Sequence, residues 1–103
     1  MTEPLPLACR LGGFDTATAQ RYQELRAAMK AAALARQELP DGYGFRFVSE
    51  ARIFTQLAEW VTLERVCCPF FSFALEWSGP DDLWLRLTGG PDVKEFLRDH
   101  LTV

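Results

Sequence analysis

Two adjacent thiols, Cys67 and Cys68, stand in the run Glu64-Arg65-Val66-Cys67-Cys68-Pro69-Phe70-Phe71-Ser72-Phe73, and the third cysteine of the chain is Cys9. Thiolates are soft donors, suited to Cu(I), Zn(II) and, by the same softness, Hg(II) or trivalent arsenic. Neighbouring cysteines close a disulfide poorly. A trans peptide holds their Cα atoms about 3.8 Å apart, whereas a disulfide usually spans about 4.4–6.8 Å. A partner shared by both sulfurs is the better reading. Glu64 precedes Cys67 by three residues and Cys68 by four, the spacings at which helical side chains meet. A carboxylate there can accept a proton from a thiol that is being lost to an ion, or stand as an outer ligand. Its plainer alternative is a hydrogen bond to an arginine or a backbone N–H, or a position in solvent.

Two further residues enter as candidate ligands. Cys9 alternates in phase with Leu5, Leu7 and Leu11, so it points inward from a strand. It is either a third sulfur or a small buried hydrophobe. His100 falls at helical spacing from Val93, Phe96 and Leu97, where it is a ligand or a hydrogen-bonded histidine at the core edge. A redox role competes with metal binding. Against it, thiolates are normally activated at helix N-termini or in Cys-x-x-Cys, and these thiols close a helix at its C-terminal, negative end. No Ser-His-Asp pattern, phosphate loop or His-x-x-x-His zinc motif is present.

The elements that carry these residues follow from periodicity. A helix over about Ala51–Cys67 places Ile53, Phe54, Leu57, Trp60 and Val61 on one arc, with Glu64 inside it. Pro69 biases Cys68 out of the helical region, so the thiols lie at a bend. Beyond it, Phe71, Phe73, Leu75 and Trp77 alternate, and so do Leu83, Leu85 and Leu87, on either side of Ser78-Gly79-Pro80-Asp81-Asp82. This is an antiparallel hairpin. Gly89-Gly90-Pro91 then opens a last helix with Val93, Phe96, Leu97 and Leu101 as its buried stripe.

Upstream, Leu5–Leu11 reads as a strand. Asp15 or Thr16 caps a helix running to about Glu38 through Tyr22, Leu25 and Met29, and Leu39-Pro40-Asp41-Gly42 is a turn before a strand of Tyr43, Phe45 and Phe47. Ser49 is expected to cap the central helix. The order is β-α-β-α-β-β-α: one α+β domain with a single mixed four-stranded sheet, a C-terminal antiparallel hairpin and helices on at least one face. Phe70 and Trp84 are expected on the face opposite the leucine stripe. If uncovered, they offer an apolar patch to an apolar ligand or to a second copy, giving a homodimer.

Composition bounds the function. The 103 residues, 49% of them apolar, suffice for one ordinary core. A net charge of −3 with scattered basic residues gives no reason to expect nucleic acid as a partner. No apolar run reaches the roughly 18–20 residues of a membrane span, and Met1-Thr2-Glu3-Pro4 is unlike a signal peptide. A cytoplasmic protein is expected, and there an odd number of cysteines fits free thiols or a metal site better than a disulfide framework.

At Glu64-x-x-Cys67-Cys68-Pro69-Phe70, followed by Phe73, Leu85, Leu87, Thr88 and Gly89, the chain resembles a group of small, largely uncharacterised bacterial proteins with an E-x-x-C-C-P-F signature. The resemblance covers roughly the C-terminal half, and the thiol bend is its one specific feature. It implies heavy-metal handling. In its vicinal cysteine pair alone the chain is also similar to mercury transporters, from which it departs in having no membrane helices. What the resemblance implies is a thiophilic ion as ligand, without saying which.

Overall fold

The structure is a computed structural model that describes residues 14–100, without the side chains of Cys67, Asp99 and His100. Its elements are α1 (Thr16–Ala32), β1 (Ala33–Leu39), β2 (Gly42–Phe47), α2 (Ala51–Cys67), β3 (Ser72–Ser78), β4 (Asp82–Thr88) and α3 (Pro91–His100). The fold is α+β. One four-stranded sheet has the order β1-β2-β4-β3, and each neighbouring pair is antiparallel.

The period of two along each strand decides what the sheet buries. Tyr43, Phe45 and Phe47 of β2 and Leu83, Leu85 and Leu87 of β4 all point to one face and are buried. There they meet Ile53, Leu57 and Trp60 of α2 and Val93 and Leu97 of α3 in one core cluster. Aromatic contacts tie the layers: Phe54 stacks on Trp77 at 5.2 Å, Trp60 meets Phe73 edge-on at 6.3 Å, and Phe71 lies 5.9 Å from Phe96. Helix α1 packs against α2. On the other face Arg86 bonds Glu76 at 2.8 Å and lies over the ring of Trp84, whose indole N–H donates to Asp82.

Several expectations are met residue for residue. Asp15 caps α1 by accepting from the Thr18 N–H at 2.7 Å. Helix α2 has the expected bounds, and Cys68, at φ −130 and ψ 76, has left the helix. The β3–β4 hairpin pairs Leu75 with Leu85 and Trp77 with Leu83. Its turn contains Gly79 at φ 65, a conformation that a Cβ makes costly.

Other expectations are corrected. The first helix ends at Ala32 rather than near Glu38, and Ala33–Leu39 forms β1. That segment has high helix propensity, but pairing with β2 from Ala33↔Phe47 to Leu39↔Gly42 overrides it. The Val48 N–H also satisfies the Ala32 carbonyl that a continuing helix would have used. Because Pro40-Asp41 is then a hairpin turn and not a crossover, β1 and β2 run antiparallel, and the described sheet is antiparallel where a mixed one was expected. Gly42 makes this turn fit, since a Cβ there would collide with the Leu87 backbone carbonyl. Ser49 does not cap α2. Glu50 holds the cap position, and the Ser49 hydroxyl donates to the Pro80 carbonyl while accepting from Trp77 Nε1. Phe70 does not join Trp84, for it packs edge-on to Phe71 and Phe96 beside α3. The expected strand at Leu5–Leu11 and the stripe residue Leu101 lie outside the described residues.

Candidate functional site

Helix α2 aligns Gln56, Trp60 and Glu64 at four-residue spacing on its inward side. Trp60 and Glu64 are fully buried, and Glu64 is the one buried charged side chain among the described residues. A carboxylate taken out of water requires donors. The hydroxyl of Tyr22 on α1 is one of them, donating to Glu64 Oε1 across 2.6 Å. Tyr22 is itself fully buried, 6.5 Å from Trp60 in a stacked arrangement and 5.9 Å from Phe14.

A second link between the helices holds Tyr22 in place. The neighbouring Arg21 reaches Glu59 with two hydrogen bonds, Nε to Oε2 at 2.9 Å and Nη2 to Oε1 at 2.7 Å. The bidentate geometry fixes orientation as well as charge. It keeps the Glu59 carboxyl below its usual pKa and raises that of the Arg21 guanidinium.

Cys68 closes the site. Its backbone N–H donates to the Glu64 carbonyl at 2.6 Å, which ends α2, and the Phe71 N–H donates to the Cys68 carbonyl at 3.3 Å to make the bend before β3. The Cys68 side chain is fully buried, one helical turn beyond the buried carboxylate. It is disulfide-bonded, and the partner sulfur lies outside the described side chains. This differs from the expectation of free thiols. Two more polar atoms on the Glu64 stripe, Gln56 Oε1 and Trp60 Nε1, are buried without a hydrogen-bond partner.

Of the expected site residues, the structure thus brings Glu64 and Cys68 together in the interior. Cys9 and the side chains of Cys67 and His100 lie outside the described set. Among the described residues no three His, Cys, Asp or Glu side chains cluster as ligands. Arg65, the cation nearest the thiols in sequence, is exposed. Tyr22 is the partner of Glu64 that periodicity alone does not single out, because its spacing makes it one member of the α1 stripe. The signal was there: an inward tyrosine needs an acceptor for its hydroxyl, and an inward glutamate needs a donor.

Comparison with known protein families, with curated proteins and with solved structures finds no match to this chain. No helix among the described residues is long and apolar enough to cross a membrane.

Proposed function

We propose that the reduced protein is a cytoplasmic binder of a thiophilic metal or metalloid ion. Cys67 and Cys68 hold the ion, Cys9 supplies a third sulfur, and Glu64 receives a proton or stands as an outer ligand. The observation that supports this reading best is the fully buried Glu64 one turn before a fully buried Cys68, which follows Cys67 directly in the chain.

A dithiol reductant supplies two electrons and two protons to the disulfide, giving two thiols. Capture of an ion by those thiols releases two protons, because the thiolate is the ligand. Glu64 is the acidic group one turn away that can take one of them. A site of two or three sulfurs suits Hg(II), Cu(I) or As(III). Zinc prefers four ligands and would need His100 as well.

The disulfide at Cys68 specifically favours a second reading, a thiol-dependent redox enzyme or sensor. Full burial and the C-terminal end of α2 oppose a reactive thiolate at Cys68, so ion binding is preferred. Elemental analysis beside native mass, on reduced protein purified without chelator, tests the choice. A bound thiophilic ion in wild type that is missing from Cys67→Ser/Cys68→Ser supports binding. No such ion in either protein, together with rapid peroxide oxidation of the wild-type thiols, supports the redox role.

A further inference from the structure

A concave basin of about 620 Å³ lies between the edge strand β1 and helix α3, sharing no residue with the Glu64–Cys68 site. It is lined by Arg36, Glu38, Tyr43, Pro91, Lys94, Glu95 and Arg98. The placement follows from the two elements. Arg36 and Glu38 pair with Phe45 and Tyr43 across the ladder, so both project to the helical face of the sheet. Pro91, Lys94, Glu95 and Arg98 recur at the three- and four-residue spacing that puts side chains on one side of a helix.

The charges in this basin do not cancel. Lys94 binds Glu38 at 2.6 Å and holds its carboxyl below the usual pKa, while Arg98 meets Glu95 at 3.6 Å. Arg36 forms no ion pair at contact distance with a carboxylate among the described residues; it acts on the Glu38 carboxyl from farther away, and its guanidinium rests over the Tyr43 ring at 5.4 Å from its centroid. Lys94 Nζ is 5.8 Å from the same ring. Among the described residues that line the basin three are basic and two acidic, on a chain whose net charge is −3. Its volume is that of a small-molecule site, and its lining is polar rather than apolar.

From this combination of cavity, surplus guanidinium and rigid aromatic floor, we propose that the basin binds a small multiply charged anion, a phosphate or a polycarboxylate. Arg36 is its principal ligand, because a guanidinium presents a planar donor pair matched to such oxyanions, and Arg98, paired with Glu95, adds positive charge beside it. Glu38 tunes the site by occupying Lys94.

The test is titration of the full-length protein with inorganic phosphate and, separately, with citrate, followed by calorimetry and by amide chemical shifts. The expected result is saturable binding of at least one probe that weakens with added salt. Arg36→Ala should weaken it about tenfold, as loss of one charge-assisted contact implies. Glu38→Gln, which frees Lys94, should tighten it, and the remote Arg52→Ala should change nothing. Phosphate binding alone would assign a phosphorylated ligand, and citrate binding alone a polycarboxylate. No saturation by either probe, or affinity unaltered in Arg36→Ala/Arg98→Ala with an unchanged melting curve, would overturn the proposal.

Discussion

The Tyr22 hydroxyl on α1 donates to the Glu64 carboxylate on α2 over 2.6 Å, with both side chains fully buried and 42 positions apart in the chain. Neither group is comfortable in the interior alone. Their pairing fixes the register of the two helices and leaves a carboxylate one turn from Cys68.

Breaking this pair from either side is therefore expected to be costly in an ordered way. Tyr22→Phe should lose about 1–3 kcal/mol, the cost of leaving a buried polar partner without its hydrogen bond. Glu64→Ala should lose more, since it strands the tyrosine hydroxyl and leaves a cavity. Glu64→Gln retains an acceptor and should lose least. Urea denaturation of the three variants checks the order, and equal stability of Glu64→Ala and wild type would contradict it.

The Cys68 disulfide makes a counting prediction. Of three cysteines, one disulfide consumes two. Denatured protein that has never met reductant should thus titrate one thiol, and reduced protein three. Peptide mapping then assigns the partner of Cys68 as Cys9 or Cys67. Three thiols before reduction would remove the disulfide from the account.

Glycine geometry gives a contrast between two nearby positions. Gly42→Ala brings its Cβ against the Leu87 carbonyl, a backbone atom that can move only with its strand. A loss of about 2 kcal/mol or more is expected. Gly90→Ala enters open space and should fall within about 0.5 kcal/mol of wild type. Thermal melts of the pair decide, and similar losses in both would argue against the close approach of β2 to β4.

Acid should weaken the fold gradually. Asp15, Glu38 and Glu59 each titrate below their usual value, the first through the Thr18 N–H, the others through hydrogen bonds from Lys94 and Arg21. A carboxyl with a depressed folded pKa contributes stability that is complete above its unfolded pKa and is lost as pH falls through the folded one. Unfolding free energy should therefore be flat with respect to these groups above about pH 5 and decline below about pH 4. The groups are exposed, so the effect is modest. Glu59→Gln should flatten the decline, and a rise in stability between pH 5 and pH 3 would refute the assignment.

What the sequence made legible was whatever had a strong period and clear boundaries. In α2, the apolar arc from Ile53 to Val61 and the stop at Pro69 give both bounds, and they put Glu64 inside. In β3 and β4 the strict alternation around Gly79 gives the register. In contrast, Ala33–Leu39 is alanine- and charge-rich and almost wholly exposed, so it carries no buried stripe by which to recognise a strand. Its strand state comes from pairing with β2, which local propensity does not record. The Pro40-Asp41-Gly42 turn was the available hint of a hairpin. The Tyr22–Glu64 bond escaped for a related reason: each partner is visible alone, but their meeting depends on how α1 lies across α2.

The most direct measurement is a titration of dithiol-reduced, desalted protein with Hg(II), followed by absorbance and mass, for wild type beside Cys67→Ser/Cys68→Ser. The expected result is a one-to-one complex in wild type, proton release on binding, and affinity reduced by orders of magnitude in the double variant. Equal affinity in both proteins would contradict the thiol site.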